Sequence, residues 1–374
     1  MFIEMIRKYI KSFILKRIVR KSDKAISTSF YRELYSKCNL KRLSRQQYKD
    51  IQNYFQNYSG KKVNSRYHEY YYSMTGYYSE KYIPDTLYFN YIDPYLNDHR
   101  MIPAYLDKNG YHGLFPEVKQ PELLLSNING YYYHKDMVVT KQEAVRICSE
   151  LPDAIIKPAL DSCQGKNVVR FTSEEGKINN AGLTVQQLFE KFGQNFLIQK
   201  TIHQHPVMES LNPSSVNTIR VLTLRREDEI ICLSAIVRIG RKGAIVDNGH
   251  AGGYCCGIKE NGQLKENGFI CVTGECKQKT DHGTILGNIV VPGFRRIVET
   301  AKRLHLKLPY LNLIGWDFCV DDKNEIVLIE FNTNSSIDIM QLCNGPVFGD
   351  YTEEILRKVS GSHLHLLIKH SLEK

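Results

Sequence analysis

The chain has 374 residues, a net charge of +10 and 42% hydrophobic residues, enough for two or three structural units with ordinary cores. No low-complexity run marks disorder. Its ten cysteines lack the paired spacing of a zinc site, which predicts reduced thiols in a cytoplasm and excludes a disulfide or zinc framework.

Residues 1–57 read as helical and polar. Residues 1–24 hold eight lysines and arginines against Glu4 and Asp23, more than half of the net charge. Phe2, Ile6, Tyr9, Ile10 and Phe13 recur at helical spacing, with Lys8 and Lys11 opposite. Such a helix either packs on the body of the protein or rests on anionic lipid, making membrane-surface contact through residues 1–24. No apolar span is long enough to cross a bilayer, and the core and cleavage site of a signal peptide are missing. The expected location is therefore cytoplasmic, and peripheral at the inner membrane face where the helix meets lipid. The basic residues are not interleaved with a nucleic-acid-binding module, so no nucleic-acid partner is expected.

Between Tyr67 and Tyr95 the chain is crowded with tyrosines, which either stack on sugars or, more simply, fill a half-buried aromatic layer. A loop-rich stretch over 103–121 contains Asp107-Lys108. A small α+β unit follows: a helix over 142–151, a strand at 154–157, a Gly-containing loop over 161–166, a strand at 167–171, a helix over 184–192 and a strand at 195–200. Longer strands at 216–225, 230–239 and 314–331 suit an antiparallel sheet. A helix over 294–306 presents Ile297, Val298, Ala301 and Leu304 as one apolar stripe.

Chemistry concentrates where charged residues interrupt apolar strands. The segments 315–320 and 326–332 flank the polar turn Asp321 to Glu325 and read as a β-hairpin. Glu330 and Asn332 share a face because they are two apart in a strand, and Asp317 can join them from across the hairpin. Two carboxylates and an amide oxygen are hard ligands suited to a magnesium ion that also grips phosphates. Lys157 ends its strand before Pro158 and can act as a point charge for phosphate. The loop Ser162-Cys163-Gln164-Gly165-Lys166 lets backbone N–H groups approach a phosphate, although it lacks the Walker A spacing. Arg220 and Arg238, in neighbouring strands, suit a transferring phosphoryl group. The run Asn248 to Gly253 offers exposed backbone donors near a substrate.

The order of these features resembles the ATP-grasp superfamily over about residues 60–345. The resemblance rests on Asp107-Lys108, Lys157, the Gly loop, Gln199-Lys200-Thr201-Ile202, Arg220, Arg238, Asn248 with Gly252-Gly253, Asp317 and Glu330-Phe331-Asn332. The phrase Leu211 to Arg220 looks most like the sugar-transfer-associated branch, and the run from Ile219 to Gly253 is similar to glutamate-adding ligases.

The resemblance implies an α+β fold in which two α+β subdomains grip ATP, preceded by a pre-ATP-grasp region and N-terminal helices. The divisions expected are 1–57 for the N-terminal helices, 58–137 for the pre-ATP-grasp region, 138–200 for the lid subdomain and 201–374 for the catalytic subdomain. Lys108 and Lys157 would contact phosphates, with Ser162, Gln164, Gly165 and Lys166 closing over them. Gln199, Lys200 and Ile202 would hold adenine, and His205 the ribose. Asn248, Gly252 and Gly253 would face the substrate, and Asp317, Glu330 and Asn332 would bind one or two magnesium ions. Arg220 and Arg238 would steady the transferring charge.

The implied activity is that of an ATP-dependent carboxylate–amine ligase working through an acyl phosphate in polysaccharide or cell-envelope synthesis. Its partners would be a small or glycan-linked carboxylate and an amine. The alternatives are a phosphotransferase on the same architecture and a non-catalytic nucleotide-binding module. Where many relatives carry a Pro-Gly loop after the metal-binding Asn, this chain has Thr333-Asn334-Ser335-Ser336, which leaves the acceptor open. Oligomeric state has no signature in the sequence.

Overall fold

The computed structural model describes residues 2–160, 167–179, 182–227, 229–247, 249 and 252–361. Two antiparallel sheets carry the architecture. The first is built from β1 (Leu123–Ile128), β2 (Tyr131–His134), β3 (Met137–Val139), β4 (Leu151–Pro158), β5 (Val169–Glu174), β6 (Lys177–Ile178), β7 (Leu183–Thr184) and β8 (Phe196–Lys200), in the order β3-β2-β1-β8-β4-β5-β6-β7. One face is covered by the helix Val185–Phe192, whose Val185, Leu188 and Phe189 meet Ala154, Ile156, Phe171 and Ile198 in a common core. Thr184 starts this helix with a capping box completed by Gln187, which satisfies two backbone donors at once.

Two expectations are corrected in this unit. The helix expected over 142–151 stops at Ile147, and Leu151 already opens β4. Pro152 explains the change, because the residue before proline is pushed out of the helical region. The expected boundary at 138 also moves to before Leu123, since β1 hydrogen-bonds to β8 through Leu125↔Ile198 and Ser126↔Leu197.

The second sheet takes β9 (Ile219–Arg226), β10 (Glu229–Ile239), β11 (Tyr254–Ile258), β12 (Leu264–Ile270), β13 (Cys276–Lys277), β14 (Leu313–Val320) and β15 (Ile326–Asn332), in the order β13-β12-β11-β10-β9-β14-β15. Every residue of β14 is buried, as a near-continuous apolar run covered on both faces requires. One face packs against the helix Phe294–His305, where Ile297, Ala301 and Leu304 meet Val221, Val237, Trp316 and Phe318. On the other face Leu222, Leu224, Ile236 and Leu313 share a core with the N-terminal helical region.

That region holds α1 (Phe2–Glu33) and the helices Arg45–Ser59 and Arg66–Thr75. The tyrosines settle the choice left open above. Tyr67, Tyr70, Tyr71, Tyr82 and Tyr88 are buried in this core, with Tyr71 stacked on Tyr82 at 4.6 Å and Phe30 on Tyr67 at 3.9 Å. They are packing residues, not platforms for a sugar. No described helix is long and apolar enough to cross a membrane.

Candidate active site

The two sheets enclose a cavity of about 670 Å³ between them. Its floor is a row of charge running across the second sheet. Cross-strand pairing sets Arg220 opposite Asp317 and Asp317 opposite Glu330, while Ile236 pairs with Arg220 and Arg238 lies two residues further on. Directly opposed residues in antiparallel strands share a face, as do residues two apart. Arg238, Arg220, Asp317, Glu330 and Asn332 therefore all project from one side. Lys157 of β4 and Lys108 line the same cavity. Lys108 is held there because its N–H donates to Ala159 O at 3.2 Å, just beyond β4, and Asp107 caps the turn by accepting from the Asn109 N–H.

The row depends on a β-bulge. From the hairpin turn, Val320 pairs with Ile326, Cys319 with Val327 and Phe318 with Leu328. Continued without interruption, that register would set Asp317 against Ile329 and turn Glu330 and Asn332 to the opposite face. Ile329 is instead the extra residue, so Asp317 meets Glu330 and Gly315 meets Asn332.

Arg220 enters the row from a polar knot built by the segment 211–220. The Asn217 side chain donates to Gln204 Oε1 at 3.0 Å, Met208 O at 2.9 Å and Asn212 O at 2.9 Å. Gln204 in turn donates to Ser215 O at 2.7 Å, and Asn212 to Ser215 Oγ at 2.8 Å. All four residues are buried, and their network fixes where β9 begins, while Asn217 Oδ1 finds no partner among the described residues.

Arg220 donates to both oxygens of Asp317, from Nε at 2.7 Å and from Nη2 at 2.5 Å. Arg238 Nη1 and Asn332 Nδ2 each lie 3.4 Å from Asp317 Oδ2. Burial alone would raise the Asp317 carboxyl, but the Arg220 charge and hydrogen bonds, with help from Arg238 and Asn332, hold it below its usual range. Burial likewise disfavours the Arg238 cation, and Asp247 and Asp317 more than offset it. Asp247, 3.4 Å from Arg238, also accepts from the Thr218 hydroxyl. Lys108 Nζ lies 3.6 Å from Glu330 Oε2.

Lys157 is the group whose titration matters most. Burial pulls it down to about 8, with Glu330 pulling it back up and the Lys108 charge adding to the fall. A phosphate bound at Lys157 would favour the cation, so binding above pH 8 should take up a proton, while at lower pH the cation already exists. ATP affinity is therefore expected to be about tenfold weaker at about pH 9 than at about pH 7. Lys157→Arg, charged at every accessible pH, should flatten that dependence in a calorimetric titration. A slope unchanged in Lys157→Arg would show that another group is responsible.

The donor set fits a magnesium ion. Asp317, Glu330 and Asn332 offer hard oxygen ligands on one face, and an ionised carboxylate has lone pairs enough for Asp317 to keep Arg220 and still ligate. Among the described residues no three His, Cys, Asp or Glu side chains cluster to hold a metal by themselves. An ion here would therefore complete its shell with phosphate oxygens and water.

Of the remaining expected residues, Gln199, Lys200 and Ile202 line the cavity. Ser162, Gln164, Gly165, Lys166 and Asn248 lie outside the described residues. Three expectations are corrected. His205 is not in the cavity wall, because its Nδ1 accepts from the Val207 N–H and caps the turn Pro206–Glu209. Gly252 and Gly253 are absent from the wall as well. Gly252, at φ +85°, turns the chain, and Gly249 faces the cavity in their stead. A Cβ at Gly249 would come within 2.9 Å of the Cys271 Cβ, so glycine is required for that approach.

Residues missed by the sequence reading include Thr218, Asp247, Cys255 and Cys271, together with Leu34 and Lys37 from the turn after α1. Cys255 Sγ and Cys271 Sγ sit 2.9 Å apart, and the Cys271 thiol is pushed up by that contact and by burial. Parity from Arg238 could have found Cys255, its direct cross-strand partner. Nothing local marks Leu34 or Lys37.

Two antiparallel sheets facing each other across a cavity, lysines on one side and a carboxylate–arginine row on the other, define an ATP-grasp protein. The chain belongs to the sugar-transfer associated ATP-grasp family, whose model matches residues 89–357. No curated protein matches it.

Solved structures similar to it include the ATP-grasp ligase PsnB with precursor peptide PsnA2 and AMPPNP (10% identity, TM-score 0.39, covering 71% of this chain and 62% of that one). Another is the biotin carboxylase domain of 2-oxoglutarate carboxylase from Hydrogenobacter thermophilus, with MgADP and bicarbonate (15%, 0.40, covering 71% and 48%). A third is the L-amino acid ligase from Bacillus licheniformis (12%, 0.40, covering 70% and 48%). The chain thus spans between about half and three fifths of the length of these proteins, and likeness at this level carries nothing about substrate.

Proposed function

We propose that the protein is an ATP- and magnesium-dependent carboxylate–amine ligase that forms ADP. The observation that carries this reading is the row Arg238–Arg220–Asp317–Glu330, with Asn332, facing Lys108 and Lys157 across one cavity. Lys108 and Lys157 would hold the phosphates, and the wall at Ile155, Gln199, Lys200 and Ile202 would take the base. Asp317, Glu330 and Asn332 would hold the magnesium, which when bound neutralises phosphate charge.

In the first step a carboxylate oxygen of the substrate attacks the terminal phosphorus of ATP. The bond to ADP breaks, ADP leaves, and an acyl phosphate forms. Arg220 and Arg238 place fixed positive charge where the transferring group gathers negative charge, each contributing a few kcal/mol (about 10²–10³ in rate). In the second step the amine attacks the acyl carbon, loses a proton, and phosphate departs to leave an amide. Closure of the site keeps water from competing for the acyl phosphate.

The carboxylate would belong to a small molecule or be glycan-linked, in polysaccharide or cell-envelope synthesis, a reading supported only by the family's association with sugar transfer. The segment Thr333-Asn334-Ser335-Ser336 supplies Asn334, Ser335 and Ser336 to the cavity wall, giving the acceptor end hydroxyl and amide groups. Incubation with ATP, magnesium and paired panels of uronic or amino acids and amines tests the reading. ADP release that needs both partners, with an amide found by mass spectrometry, is expected. ADP release with a single hydroxyl partner and a phosphorylated product would instead make the protein a kinase. Nucleotide binding without turnover on any pair would leave a non-catalytic module.

A further inference from the structure

Among the described side chains of α1, those in its second half are the ones that pack on the body of the protein. Val19 and Phe30 are buried against it, Ser22 donates to Asn90 Oδ1 at 2.7 Å, and Asp23 accepts from Asn90 Nδ2 at 2.7 Å. Ahead of Val19 the helix leaves large apolar side chains in water: Ile10 is 50% exposed, Phe13 56%, Ile14 39% and Ile18 42%. Their spacing of three, four and eight residues gathers them on one side of a helix. Lys16, Arg17, Arg20, Lys21 and Lys24 are also exposed, while Asp23, the one acid between residues 10 and 24, is turned to Asn90.

We propose that residues 10–24 of α1 form a docking surface for an anionic phospholipid bilayer, lying in its interface with Ile10, Phe13, Ile14 and Ile18 inserted. Two observations select that occupant. A water-exposed stripe holding Phe13 and three isoleucines loses apolar surface to lipid at the interface. Five exposed cations with no exposed acid among them match the charge of anionic headgroups, and each basic residue near such a surface multiplies affinity about fivefold. Arg17, Lys21 and Lys24 fall within the apolar arc itself, so insertion requires their long aliphatic stems to carry the charges up to headgroup level while the stems cover lipid. The helix ends at Glu33, and Leu34, the next residue, lines the cavity. Sixteen residues, about 24 Å of helix, separate Ile18 from Leu34, so docking would hold the cavity within about that distance of the membrane surface.

The test is co-sedimentation of the full chain with vesicles of phosphatidylcholine alone and of phosphatidylcholine with one quarter phosphatidylglycerol. Binding to the anionic vesicles is expected to exceed binding to the neutral ones at least tenfold at about 0.1 M salt, and to fall steeply at about 0.5 M salt as the charges are screened. Phe13→Glu/Ile14→Glu and Arg17→Glu/Arg20→Glu should each lower it at least tenfold. These sites are exposed, and an unchanged melting temperature would confirm that the fold is kept. Failure of the wild-type chain to bind anionic vesicles would overturn the proposal, as would equal binding to both vesicle types or full binding by both double variants. A wild-type dimer that Phe13→Glu/Ile14→Glu converts to monomer would assign the stripe to a second copy of the chain instead.

Discussion

Arg220→Ala is expected to damage both the fold and the activity, by separable amounts. Asp317 is buried in the centre of β14 and keeps its charge chiefly through two short hydrogen bonds from Arg220. Removing one partner of a buried pair leaves an uncompensated charge, at a cost of about 3–5 kcal/mol. Arg238 and Asn332 remain near Asp317, so the lower end of that range applies, about 3 kcal/mol. The urea midpoint should fall with the slope unchanged.

Because the Asp317 carboxyl is held below its usual range, the stabilisation from the pair is complete above the ordinary aspartate pKa and is lost as pH falls below it. The acid limb of the stability curve should therefore be shallower in the variant. Catalytically, loss of one preorganised cation should lower turnover about 10²–10³-fold. Arg220→Lys separates the two effects. It restores a charge beside Asp317, and with it much of the stability, but not the two-pronged geometry that directs charge at a phosphoryl group. Full activity in Arg220→Lys would remove Arg220 from the catalytic machinery and leave it a structural counter-ion.

Glu330→Gln should do the reverse, abolishing turnover while sparing the fold. The Glu330 side chain is 27% exposed, and its ion pair with Lys108, at 3.6 Å, is long. The pair is long and Glu330 is partly solvated, so even with the loss of its charge beside Lys157 stability should fall by only about 1–2 kcal/mol, less than in Arg220→Ala. The substitution keeps size and shape but removes one of two carboxylates from the proposed magnesium ligands, and hydrolysis of ATP should fall at least about 10²–10³-fold. A second consequence reaches Lys157. Glu330 is the charge that partly counters its burial, so in the variant Lys157 should lose its proton at lower pH, and the decline of ATP affinity should begin below pH 8. Wild-type turnover in Glu330→Gln would reject the ligand assignment whatever happened to the pH profile.

The parts of the site that were legible in the sequence rest on short-range rules. A two-residue period places Glu330 beside Asn332, and the polar turn Asp321 to Glu325 announces a hairpin. The bulge at Ile329 was not legible. The hairpin register alone sends Glu330 to the wrong face, and the extra residue that returns it carries no sequence mark. The strands β11 and β12 were missed for a related reason. Gly257 and Gly268 weaken their strand signal, yet a Cβ at Gly257 would collide with the Asn344 side chain, which is anchored to Ser234 Oγ and Ala235 O, and one at Gly268 would come within 3.2 Å of the Cys255 carbonyl oxygen. His205 was drawn toward the ribose by family order, whereas its local role as a cap is set by its own turn. Leu34 and Lys37 reach the cavity only through the docking of the N-terminal helices, a long-range event that no window of sequence contains.

A crystal structure with magnesium and a non-hydrolysable ATP analogue tests the central claim most directly. The phosphates are expected between Lys108 and Lys157, with the ion bound by oxygens of Asp317, Glu330 and Asn332. A nucleotide seated elsewhere, with those three side chains making no contact to ion or phosphate, would contradict the account.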